Sequence, residues 1–284
     1  MEPVGLTAEL PRLEILDLEA LRVHEWYDGQ RTPPLVERMK HSGLFRHPPV
    51  VSPLQDGSGR FIVLDGANRT AALRALGSAC VLAQVVLPGD PGLRLRTWNH
   101  LLLDMPLRLL LQLLRAIPGL DVAGSDEPTI ELPANRREVG VALLQAPDGR
   151  VYGLSAPAED LAGRIRALNL VVNTYKETAL LERTTFSDVA PLRDLYPALS
   201  ALVIFPKFDL RDLGAAVSAD SLLPPGITRT TIAPRALHLN YPLAELLSPG
   251  SLEIKNARLQ AFLQERLEQK RVVYCEESTY FFDE

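Results

Sequence analysis

Cysteine is scarce: only Cys80 and Cys275 occur in 284 residues, one beside an apolar run and one in the tail. No metal-ligand or redox spacing can be built from them, so both read as incidental thiols in a reducing compartment. Basic charge is short as well. Lys and Arg number 30 against 35 Asp and Glu, and the net charge of −5 lacks the excess that non-specific nucleic-acid binding needs. No apolar run reaches membrane length; the longest leucine run, Leu107 to Leu114, contains Arg108. The opening MEPVGLTAELPRLE is acidic and has no apolar stretch of signal-peptide type, so a cytoplasmic protein is expected. Neither the Gly-rich dinucleotide fingerprint nor a Walker-type Gly-Lys-Ser/Thr loop is present. There is no internal repeat and no low-complexity linker.

What remains is ordinary globular material, 46% apolar and 23% charged, enough for a buried core and for one large or two modest domains. Short strands are expected at Leu13 to Leu16 and Leu21 to His24, then a proline-started helix over PPLVERMKHS stopped by Gly43. PPVVSPL and FIVLD read as a hairpin around QDGSGR. A helix over Asn68 to Leu76, closed by Gly77, leads into the strand CVLAQVVL. Residues 93 to 117 read as one or two amphipathic helices interrupted near Pro106. Beyond residue 128, strands are expected in TIELPANRREVGVALLQAPDGRVYGLSA, about its Pro-Asp-Gly turn, and in ALVIFP. Helices are expected in AEDLAGRIRALNLVVNTYKE, in FDLRDLGAAVSA and in NARLQAFLQERLEQK, the last followed by a strand. The pattern is α+β. It divides at 1–118 and 119–284, with the halves packed together, and residues 120 to 200 carry no motif.

One stretch stands out chemically: RFIVLDGANRTAALRALG, residues 60 to 77. An apolar strand ending in Asp65-Gly66 and opening a helix aims free backbone N–H groups and a partial positive charge at one point, which suits a phosphate. Asn68 and Arg69 add side-chain donors and Thr70 can cap or donate. Asp65, at the strand end, can hold a metal ion or take a proton. Gly66 permits a backbone conformation or close approach that a side chain would block. Helix capping by Asp65 and Asn68 explains the same residues equally well on spacing alone.

Together with LRVHE and LVERMKHSGLFRHPPVVSPL upstream, this stretch resembles the ParB/sulfiredoxin-like nucleotide-binding module over residues 12 to 100. His24-Glu25 about forty residues before the turn, Trp98-Asn99-His100 about thirty after it, and PPGITRTTIAPRALHLNYPL narrow the resemblance to the free L-serine kinases. That resemblance implies an N-terminal nucleotide-binding module on a second α/β domain, and transfer of phosphate from ATP or ADP, with Mg²⁺, to the hydroxyl of free L-serine. It implies Glu25 and Asp65 as catalytic groups, Asp65 also as a Mg²⁺ ligand, and Gly66, Ala67, Asn68, Arg69 and Thr70 on the nucleotide phosphates. Substrate-side positions are His24, Trp98, His100, Thr228, Arg229 and Arg235; two arginines suit a carboxylate or phosphate better than lysines do. Lys176 and Lys207 are further cations. Many relatives have a histidine before the arginine of the turn, where this chain has Asn68.

Two other functions fit the module. A nucleotide-switched ParB-like regulator of DNA is opposed by the acidic total and by the lack of a helix-turn-helix after the module. A sulfiredoxin-like reductase needs a reactive cysteine beside the turn, whereas Cys80 lies ten residues past Thr70 in an apolar strand.

Overall fold

The computed structural model describes residues 10–27, 29–125, 140–157 and 160–275. In chain order the first elements are β1 (Leu13–Asp17), β2 (Leu21–Val23), α1 (Thr32–Ser42), β3 (Leu44–Phe45), β4 (Val50–Pro53), β5 (Phe61–Asp65), α2 (Ala67–Ala75) and β6 (Cys80–Val85). Five of these strands form one sheet in the order β1-β6-β4-β5-β2. The expected hairpin is there, β4 against β5 antiparallel, and β2 runs parallel to β5 on its other side. β5 is a continuous apolar run because both its faces are covered. Val63 joins the core formed with α1, α2, α6 (Leu243–Leu247) and α7 (Leu252–Glu268), while Ile62 and Leu64 join the core of the C-terminal half. Alternate residues of a single strand therefore weld the two halves together.

Next come β7 (Arg94–Thr97), β8 (Asn99–Leu103), α3 (Leu107–Arg115), β9 (Asp121–Ser125), β10 (Ala142–Gln145), β11 (Val151–Ser155) and α4 (Leu161–Tyr175). β12 (Leu180–Thr184), β13 (Leu199–Ile204), α5 (Leu210–Ser218), β14 (Thr228–Thr231) and β15 (Tyr241–Pro242) come after these, before α6 and α7. A six-stranded sheet runs in the order β12-β8-β13-β10-β11-β9, and two strand pairs, β14-β7 and β15-β3, join distant parts of the chain.

The helices expected across residues 93 to 117 form only in part. Only α3 forms; residues 94–97 and 99–103 are strands, and every residue of β8 is buried. A strand covered on both faces shows no alternation, so its leucines are indistinguishable by periodicity from a buried helix. The division at residue 118 does not match the sheets either. β8 lies inside the second sheet, and α6 and α7 return to pack on the first. Part of the expected strand region, TIELPANRRE, lies outside the described residues, as do the first nine residues. After α7 only Val273 forms an isolated bridge before the described residues end.

β1 is an edge strand, and its exposed backbone is closed by one side chain. Asn256 Oδ1 accepts from Ile15 N–H and Asn256 Nδ2 donates to Ile15 O, each at 2.8 Å. Asn256→Leu leaves both groups unpaired, and a loss of about 1–3 kcal/mol in stability is expected by denaturant titration.

Candidate active site

Segment 223–231 stitches together the three N-terminal features that the sequence singles out. Leu223 N–H donates to His24 O and Trp26 N–H to Leu223 O, both at 2.9 Å, which fixes the backbone on either side of Glu25. Trp98 N–H donates to Ile227 O at 2.8 Å, and β14 pairs with β7. Thr230 Oγ1 donates to Leu64 O at 2.8 Å, just before Asp65. Leu64 is an extra residue on β5: Val50 pairs with Asp65 but Val51 with Val63. Such a bulge bends the strand and re-aims the residues beyond it.

Glu25 is held by its carboxylate as well as its backbone. Oε2 accepts from Gly226 N–H at 3.2 Å and from the Thr228 hydroxyl at 3.0 Å, and Oε1 has no partner among the described residues. Gly226 has φ +78°, and a Cβ there would run into the Arg183 guanidinium, so glycine presents this N–H without strain. His24 is buried behind Glu25, with Nδ1 2.7 Å from Val63 O and Nε2 2.7 Å from Thr228 Oγ1. Beside them the Arg229 guanidinium lies 4.6 Å from the centroid of the Trp98 ring. This contact holds the cation in place without neutralising it.

A second cluster gathers at the Asp-Gly turn. Asp65 Oδ2 accepts from Arg69 Nη2 and from Arg235 Nη2, each at 2.8 Å. The two guanidiniums also reach the chain before β4, Arg69 Nη1 donating to His47 O at 3.2 Å and Arg235 Nη2 to Pro48 O at 3.0 Å. Gly66 has φ +99°, and a Cβ would stand 2.8 Å from both Arg69 Nη2 and Pro49 Cβ. Gly66 O accepts the N–H groups of Arg69 and Thr70. The N–H groups of Ala67 and Asn68 are left without a partner among the described residues, as the first turn of a helix leaves them. Asn68 Oδ1 and Arg235 Nη1 are also buried and unpartnered. An acceptor and a donor left bare in one cluster call for a ligand with both functions.

Three expected site residues take other roles. The Thr70 side chain is fully buried and its hydroxyl donates to Ala67 O at 2.7 Å, within its own helix rather than toward a phosphate. His100 is enclosed in the core, 3.0 Å from the Tyr175 hydroxyl and edge-on to Phe205. Arg235 joins Asp65 and Arg69 at the Asp-Gly turn. The half-exposed Asp65 organises two cations with one oxygen rather than standing free as a base. Lys176 and Lys207 are exposed and make none of these contacts. No group of three or more His, Cys, Asp and Glu among the described residues could hold a metal by itself.

His47, Gly226, Arg183 and His238 went unnoticed in the sequence. His47 precedes a Pro-Pro pair and His238 comes after a cis Ala233–Pro234 bond, but only the fold stacks their rings edge to face at 4.6 Å. Burial first, then His238, Arg69, Arg235 and Arg46, hold the His47 pKa down to about 4. Burial also holds His100 down to about 4, against an opposing pull from the Gly226 backbone. Both rings are therefore neutral in the fold and take up protons more readily when unfolded. Stability is complete above about pH 6.5 and is expected to fall as pH drops from there toward 4, as acid titration of unfolding would show.

No family model matches the chain. Over 245 residues it is 24% identical to the ATP-dependent L-serine kinase SbnI of Staphylococcus aureus, a match that covers 85% of this chain and 86% of SbnI. The chain is similar to a serine kinase along most of its length. An 84-residue stretch, 30% of this chain and 33% of the relative, is 31% identical to the ATP-dependent L-serine kinase of Staphylothermus marinus. Solved structures agree in fold. C-terminally truncated SbnI from S. aureus superposes with a TM-score of 0.70 at 24% identity, over 89% of this chain and 96% of that one. A Glu-to-Gln variant of a free serine kinase in complex with AMP also gives 0.70, at 15% identity, over 82% and 93%.

Proposed function

We propose that this protein is a kinase that transfers a phosphoryl group from ATP or ADP to the hydroxyl of free L-serine, giving O-phospho-L-serine. The observation that carries the reading is the adjacency of two differently charged sites. A carboxylate oxygen, Glu25 Oε1, is left open, and one hydrogen bond, His24 to Val63 O, ties its neighbour to the strand that delivers the Asp65–Arg69–Arg235 cluster. Phosphoryl transfer asks for this pairing: cations and amides on the phosphates, and a base on the attacking hydroxyl.

In this reading the N–H groups of Ala67 and Asn68, with Arg69, Arg235 and the close backbone of Gly66, receive the phosphates. Asn68 Oδ1 accepts from a donor on the nucleotide. Arg229, steadied on Trp98, takes the serine carboxylate. Glu25 orients the serine hydroxyl and removes its proton as the new P–O bond forms. Asp65, whose two guanidinium bonds both fall on Oδ2, is the residue that would hold a Mg²⁺ ion, and such an ion would neutralise charge on the transferring group. The N-terminal sheet with its turn is the ParB/sulfiredoxin-like module, and the C-terminal half supplies the substrate side. No helix among the described residues is long and apolar enough to cross a membrane, and a cytoplasmic location fits a nucleotide donor.

Incubation with L-serine, Mg²⁺ and either ATP or ADP should yield O-phosphoserine, read by ³¹P NMR. Absence of product from both donors overturns the assignment.

A further inference from the structure

Thr228 has one hydroxyl proton and two neighbours that each call for it. Thr228 Oγ1 lies 3.0 Å from Glu25 Oε2 and 2.7 Å from His24 Nε2. The far side of the imidazole is fixed, because Val63 O, 2.7 Å from Nδ1, can only accept; Nδ1 therefore carries a hydrogen. With His24 neutral and Glu25 ionised, the single Thr228 proton can fill only one of its two contacts, and lone pairs face each other across the other. One additional proton removes the conflict. Glu25 Oε2–H then donates to Thr228 Oγ1 and Thr228 O–H to His24 Nε2; equivalently, His24 Nε2–H donates to Thr228 and Thr228 to ionised Glu25. The two arrangements differ by a concerted shift of two protons along the chain.

We propose that His24 and Thr228 are positioning residues that extend Glu25 into a three-residue acceptor for one proton, resting on the reading of Glu25 as the base for serine. As the serine oxygen bonds to phosphorus and the bond to the leaving nucleotide oxygen breaks, the serine proton passes to Glu25. The proton lands on the open Oε1, so Oε2 loses its charge and becomes the weaker acceptor, and the Thr228 hydrogen turns from Oε2 to His24 Nε2. No further reactant is needed, and the trio returns the proton to solvent after product leaves. The Gly226 N–H, held out of this exchange, keeps Glu25 Oε2 in place throughout.

Steady-state kinetics of Thr228→Val and Thr228→Ser, both close in size to threonine, test the assignment. Thr228→Val is expected to lower kcat about 10- to 100-fold, the effect of losing a hydrogen bond to a charged group, with the KM for nucleotide unchanged. Thr228→Ser, which restores a hydroxyl, should recover most of that loss. In mixtures of H₂O and D₂O, under single-turnover conditions, the wild-type rate should curve with deuterium content because more than one proton moves, and the Thr228→Val rate should be linear. Nitrogen-15 NMR of His24 should find Nδ1 protonated. A Thr228→Val kcat within twofold of wild type, equal losses in the two variants, a linear wild-type plot or an unprotonated Nδ1 overturns the trio while leaving the kinase assignment standing. Failure of the wild type to make O-phosphoserine overturns both.

Discussion

Glu25→Gln is expected to lower kcat for O-phosphoserine formation by about 10²- to 10⁴-fold, the range spanned by a positioned general base, while nucleotide binds as in the wild type. The substitution isolates chemistry from structure because of what holds Glu25. A glutamine amide oxygen in the place of Oε2 still accepts from Gly226 N–H and Thr228 O–H, and the backbone bonds to Leu223 are untouched. What disappears is the ability to take a proton. Rapid-quench measurement of product, alongside calorimetric titration with ADP, separates the two quantities. A variant that keeps more than about a tenth of wild-type kcat removes Glu25 from the role of base.

Arg69→Ala should have its large effect on the other side of the site, weakening nucleotide binding about 100-fold, or ~3 kcal/mol. Arg69 does three things at once: it donates to Asp65, donates to His47 O and closes over Gly66. Its loss leaves Asp65 with one guanidinium and takes away one of the cations that lower the His47 pKa. Arg69→Lys should not restore binding, because a single ammonium on a flexible stem cannot span Asp65 and His47 O in the planar fork that Arg69 uses. Titration with ADP reads both variants. Binding within threefold of wild type in Arg69→Ala would place the phosphates elsewhere.

The local elements of the N-terminal half were legible because their punctuation is local. Pro33 and Pro34 start α1 and Gly43 ends it at φ +64°; Asp56 and Gly57 turn the hairpin; Gly66 opens α2. Where punctuation was absent the sequence misled. NHLLL has no alternation and no β-branched residue, yet it is a fully buried strand between β12 and β13. Its environment is supplied by residues about a hundred positions away, which no window on the sequence contains. His100 stands two places after Trp98, but Trp98 lies in the break between β7 and β8 while His100 is on the wholly buried β8, against Tyr175 and Phe205.

The same distinction separates the two halves of the candidate site. The turn at Asp65-Gly66 was determined locally, because a strand, a glycine and a helix start in succession produce bare N–H groups whatever surrounds them. Its partners were not. Arg235 reaches Asp65 across 170 positions and Thr228 reaches Glu25 across 203. Charge attraction and hydrogen bonding act over a few ångströms regardless of chain separation, so which arginine completes the cluster, and which hydroxyl stands between Glu25 and His24, is decided only when segment 223–231 is laid across the sheet.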